Sequence, residues 1–132
     1  MQIGELARRA GVPIDTVRYY ERQGILPVPM RQASGYRRYG DGDLARLQFV
    51  RRAKGLGFSL VEVRELLALS GRPAGDMAGL KAAASAKLAD VERRIAELER
   101  IREGLQALTA ACPGHGALAR CPILAALSGD EA

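Results

Sequence analysis

One histidine and two cysteines are the whole stock of imidazole and thiol in 132 residues. His115 is the one imidazole, no Ser/His/Asp arrangement around it can be defended, and no phosphate-binding loop is present, so the chain is not expected to be an enzyme. Long apolar runs are also missing. The opening MQIGELARRAGVP does not resemble a signal peptide and no stretch could span a bilayer, so a cytoplasmic protein with no membrane partner is expected. In that reducing compartment a structural disulfide is disfavoured. Proline is absent from residue 77 to about residue 111, which leaves that stretch free to form one helix.

What is present suffices to fold. Hydrophobic residues make up 48% and charged residues 27% of the chain, and its length suits one compact domain or a small domain with an extended appendage. Charge is unevenly placed: 13 basic and 7 acidic residues up to Arg72 give +6, whereas 7 and 8 after it give −1. A positive N-terminal half suggests a polyanionic partner, because Lys and Arg against phosphates release condensed counterions. A GC-rich genome, which writes arginine often, would leave the same bias.

Ile3, Leu6, Ala7 and Ala10 recur at helical spacing and stop at Gly11. A second short helix, expected to be capped by Asp15, turns Val17 and Tyr20 inward and ends at Gly24. Two such helices around a tight glycine turn read as a helix-turn-helix. On the second, Thr16, Arg18, Tyr19 and Tyr20 are candidates for DNA contact: Arg18 has forked donors for guanine or phosphate, and the tyrosines carry hydroxyls for the backbone. Either ring could instead fill the core. The following ILPVPMRQASGYRRYGDGD fits a two-stranded wing in which Arg31, Tyr36, Arg37, Arg38 and Tyr39 suit a phosphate backbone. Arginines there would equally block edge pairing. Two further helices, capped by Asp41 or Asp43 and by Ser59 with Glu62, bury Leu44, Leu47, Phe49, Val50, Leu60, Val63, Leu66 and Leu67.

Asp76 is placed to cap a helix from Met77 to about Ala111. Its apolar residues, from Leu80 through Leu88, Ile95, Leu98 and Ile101 to Leu108, step by three and four over many turns, which describes a coiled-coil seam and hence a homodimer. Met77 and Cys112 lie roughly 50 Å apart along one helix at ~1.5 Å per residue. Antiparallel pairing about Arg94 and Ile95 would bring Met77 of one chain to Cys112 of the other.

Cys112 closes this helix and Cys121 follows after eight residues that include Pro113, Gly114, His115 and Gly116. Pro122 is placed to start a short last helix with Cys121 as its N-cap, where free backbone N–H groups favour the thiolate. Two thiolates on a tight loop suit a soft metal ion, with His115 a candidate third ligand. A disulfide, a dithiol redox switch and two inert buried thiols are the other readings.

The stretches IGELARRAGVPIDTVRYYERQGIL, GYRRYGDGDLARLQFVRRAKGLGFSLVEVRELL and CPGHGALARCPIL, with the long helix between, resemble the MerR family of transcription regulators, in its heavy-metal branch of CueR-like and ZntR-like sensors. The resemblance implies a mainly α fold: a winged helix-turn-helix DNA-binding domain over residues 1–71, an antiparallel coiled-coil dimerisation helix over 76–111, and a metal-binding loop with a short helix over 112–132. It implies a homodimer on a promoter palindrome whose metal-bound form bends and untwists the spacer so that RNA polymerase engages both promoter elements. Arg18, Tyr19, Tyr20, Arg31, Tyr36 and Arg37 match its DNA-contacting positions.

At the start of the dimer helix the family carries cysteine in sensors of divalent metals and serine in sensors of monovalent ones, whereas this chain has Met77. Zinc would need His115 and more, while a linear two-sulfur set suits Cu(I), Ag(I), Au(I) or Hg(II). The eight-residue separation resembles divalent sensors. The expectation is Cu(I) or another monovalent coinage metal at Cys112 and Cys121, with Met77 of the partner as a weak contact. A sensor of Hg, Zn, Cd or Pb is the alternative, and a thiol-redox or metal-buffering protein is the reading outside regulation.

Overall fold

The computed structural model describes residues 1–29, 35, 38–72, 74 and 76–129. The expected wing, with Arg31, Tyr36 and Arg37, falls largely outside them. Among the described residues every regular element is helical: α1 (Ile3–Ala10), α2 (Ile14–Arg22), α3 (Asp41–Gly55), α4 (Leu60–Ser70), α5 (Met77–Ala111), a 3-10 turn (Leu118–Arg120) and α6 (Pro122–Ser128). Two compact units divide the chain, Met1–Ala83 and Ala84–Ala132.

In the first unit, α1 ends where Val12 N–H reaches the Ala7 carbonyl at 3.0 Å and Gly11 takes a left-handed φ of 71°. That closure turns the chain directly into α2. The second helix begins earlier than its sequence suggests. The amides of Thr16 and Val17 both bond to the Pro13 carbonyl, so Pro13 is the N-cap and Asp15 lies within the first turn, where its charge still suits the helix start. Helix α3 likewise departs from a simple Asp cap: Gly40 is the N-cap, and the Asp43 carboxylate reaches back to accept its N–H at 2.9 Å. Helix α4 has the expected capping box, with Ser59 N–H donating to Glu62 at 2.8 Å and Glu62 N–H donating to Ser59 Oγ at 3.2 Å.

Helix α1 packs on α2 and α3, and α3 packs on α4. Leu6, Val17, Ile25, Leu26, Leu47, Val50 and Val63 are fully buried between them. Each contributes about 1.5–3 kcal/mol of transfer free energy, enough to hold a small head together. Phe49, Leu44, Leu60 and Leu67 are only partly buried against this core, while Ala53 joins it in full. Leu80 and Ala83 pack on the same core, which is why the compact unit extends into the first turns of α5.

Helix α5 runs 35 residues. The Asp76 carboxylate caps it by accepting from Gly79 N–H at 2.7 Å. In the second unit its apolar residues are uncovered: Leu88, Leu98, Ile101 and Leu105 are each more than half exposed and Ile95 is half exposed. Asp90 accepts from Lys87, Arg93 and Arg94 on the same helix, the i,i+3 and i,i+4 pairing expected of a charged outer surface. No helix among the described residues is long and apolar enough to cross a membrane.

Candidate functional site

Two groups of side chains carry the chemistry, one in each unit. On α2 the outer face is built by spacing: Arg22 lies three residues after Tyr19 and four after Arg18, which sets it beside both on the exposed side of the helix. Arg18 is exposed, Tyr19 is 41% exposed, and the Arg22 guanidinium stands 6.0 Å from the centre of the Tyr19 ring. Arg22 is absent from the expected contacts, yet its i,i+4 step from Arg18 puts it on the same face. Thr16 is half-buried beside it.

Tyr20 faces the other way. Its side chain belongs to the core, and burial, with Tyr19 beside it, raises its pKa, so the phenol stays protonated at neutral pH. The two rings lie 6.0 Å apart at a tilt of 47°, so Tyr20 also supports Tyr19 from below.

The second group forms where α5 ends. Cys112 N–H still bonds to the Leu108 carbonyl at 3.2 Å, and Pro113 then prevents continuation. Gly114 and Gly116, both at positive φ, fold the loop back until Cys121 sits as the N-cap of α6 with Pro122 in the first position. There the backbone N–H groups that open α6 lower the Cys121 pKa, Leu124 foremost, with smaller help from Ile123 N–H and the Cys112 thiol, against the raising effect of desolvation. Both thiols are free, and both line a recess of about 540 Å³ together with His115.

The structure therefore brings Cys112 and Cys121 together in the lining of one recess. It does not join His115 to them as a third donor: among the described residues no three His, Cys, Asp or Glu side chains converge as a metal cluster. Met77, the first residue of α5, is 86% exposed. Two adjacent sulfurs, one of them favoured as thiolate, fit a soft cation of low coordination number better than a four-coordinate zinc ion.

Residues 1–70 match the family model described as MerR HTH family regulatory protein, and residues 44–108 match the one described as MerR, DNA binding. The mercuric resistance operon regulatory protein of Serratia marcescens is 39% identical over 132 residues, covering 99% of this chain and 90% of that protein. The HTH-type transcriptional regulator HmrR of Rhizobium leguminosarum bv. viciae is 42% identical over 128 residues, with 97% and 98% covered. In fold, the chain is similar to the crystal structure of PbrR691 from Ralstonia metallidurans CH34 in complex with lead(II), with a TM-score of 0.86, 35% identity, and 96% and 98% of the two chains covered. Alike over the head and over nearly the full length of these relatives, the chain belongs to the MerR family of helix-turn-helix regulators, DNA-binding transcription factors rather than enzymes.

Proposed function

We propose that this protein is a metal-responsive regulator that binds promoter DNA as a homodimer and activates transcription when a soft metal ion occupies the loop of Cys112 and Cys121. The observation that carries the reading is the thiol pair itself, with Cys121 held toward thiolate by the amides of Leu124 and Ile123. The division of labour follows: residues 1–71 read DNA, 76–111 pair the two copies, and 112–132 receive the metal, all in the cytoplasm with DNA and RNA polymerase. Thr16, Arg18 and Tyr19, with Arg31, Tyr36 and Arg37 of the wing, contact the operator, while Tyr20, the other expected contact, lies behind them in the core. Arg18 reaches bases or phosphates, and Tyr20 acts chiefly by supporting Tyr19.

A bound soft cation supplies the charge that two neighbouring thiolates need. The chain does the rest. Cys112 directly follows the last residue of α5, so fixing it against Cys121 fixes the end of the dimer helix. Pairing through the seam carries that constraint to the heads, which bend and untwist the promoter spacer between them so that RNA polymerase engages both elements. Two sulfurs without a third acidic donor favour Cu(I), Ag(I) or Au(I), with Met77 of the other copy as a thioether neighbour.

A second reading, a sensor of a divalent soft ion, is favoured by relatives whose names carry mercury and lead. A competition titration of Cu(I), Zn(II), Hg(II) and Pb(II), read as transcription from the native promoter, separates the two. Monovalent induction at the lowest free concentration supports the first, and induction by Hg(II) or Pb(II) alone supports the second. Cys112→Ser and Cys121→Ser should each abolish induction while operator binding persists; full induction in either rejects the thiol site.

A further inference from the structure

Three arginines of the positive head donate to backbone carbonyls of the head itself. Arg51 of α3 donates to the Ala10 carbonyl at 3.0 Å, at the turn between α1 and α2. Arg46 of α3 donates to the Ile25 carbonyl, and Arg64 of α4 donates to the Gln23 carbonyl, both just beyond α2. Helix ends leave carbonyls without intrahelical partners and carry partial negative charge, so a guanidinium there satisfies both needs. At the turn the approach is close: a Cβ on Gly11 would lie 2.6 Å from Arg51 Nη1, and φ of 71° already disfavours any side chain.

We propose that Arg46, Arg51 and Arg64 are specificity-determining positioning residues, which aim α2 by holding its flanking carbonyls and do not serve as phosphate contacts. Helix α2 has only nine residues, and these bonds grip it before its start and after its end from two helices outside the motif. Hydrogen bonds to base edges demand distance and angle, whereas attraction to phosphates tolerates misalignment. Loosening the grip therefore weakens recognition of the right sequence and leaves general DNA affinity alone. Three of the 13 basic residues up to Arg72 accordingly serve the protein's own backbone.

The inference rests on the DNA-reading role of α2, and one experiment distinguishes failure of either. The probes are a duplex selected by the wild-type protein from a randomised pool and an unselected random duplex of equal length, each measured across a salt series. Arg64→Gln and Arg51→Gln should bind the selected duplex about tenfold or more weakly, the scale of a lost charged hydrogen bond. Binding to the random duplex should stay within about twofold, and the slope of log affinity against log salt should not change. Arg64→Lys and Arg51→Lys, which keep a donor, should recover part of the loss. A slope reduced by about 0.9 per substitution would identify a phosphate contact and overturn the proposal. Equal losses on both probes, or no loss on either, would overturn it too. Arg64 is exposed, so Arg64→Gln decides the matter even if Arg51→Gln unfolds. A wild-type protein that selects no sequence would instead refute the reading role of α2.

Discussion

The unit from Met1 to Ala83 and the unit from Ala84 to Ala132 treat their apolar side chains in opposite ways. All seven fully buried large side chains lie in the first. In the second, the buried class among the described residues contains Lys87, while Leu88, Ile95, Leu98, Ile101 and Leu105 are at least half exposed. A head that has closed its own core can fold on its own terms, but a helix that displays such a stripe has its hydrophobic partner elsewhere. Under the proposed function, the contrast gives stability to one unit and association to the other, and a ligand at the thiol pair would act on the part whose arrangement depends on pairing.

The strongest way to break this comparison is to charge the seam. Ile95→Glu places a carboxylate near the centre of the apolar stripe, where pairing of two copies would bury it. Burying an unpaired charge costs several kcal/mol, so the dimer should dissociate about a hundredfold or more readily and operator binding should fall with it. The head should keep its unfolding midpoint. Sedimentation together with thermal unfolding reads both, and a dimer that persists undiminished would show that the stripe is not the interface. Next in size is Leu47→Ala, a cavity in the head. It should cost about 2–5 kcal/mol and lower the head's melting temperature, with the dimer intact below the transition. Loss of association at temperatures where the head remains folded would mean that the two units do not divide the work as described.

How much of this was legible beforehand depends on the range of the interaction. The bounds of α5, the Ser59–Glu62 capping box, the closure at Gly11, and Cys121 before Pro122 all depend on neighbours a few residues away, and each is visible as a spacing in the chain. The start of α2 was less so, because the Pro13 carbonyl competes with Asp15 for the first turn and wins through two backbone bonds. Charge counting suggests a polyanionic partner for the head and does not tell one arginine from another. Arg46, Arg51 and Arg64 bond to carbonyls 21, 41 and 41 residues away, a pairing that no local pattern encodes. Tyr20 falls on the legible side, since its three-residue step from Val17 predicts the inward turn that packing shows.

The smallest effect sharpens the comparison at its far end. The Leu124 amide at the start of α6, with Ile123 and Cys112 adding to its effect, places the Cys121 pKa in the folded protein below that of the same thiol in the unfolded chain. A depressed pKa means that the thiolate stabilises the fold above the unfolded value and that this contribution disappears as pH falls through the folded one. In reduced, metal-free protein, the pH profile of Cys121 alkylation should therefore have its midpoint below that of the urea-denatured chain. Cys112→Ala should move the midpoint only part of the way back, because the larger share comes from backbone amides that the substitution leaves in place. Coincident folded and denatured midpoints would remove the electrostatic reason for a thiolate at this helix start. Complete reversion in Cys112→Ala would assign the effect to the neighbouring thiol alone, and the loop would then owe its metal-binding character to the pairing of two sulfurs, with no part played by the way α6 begins.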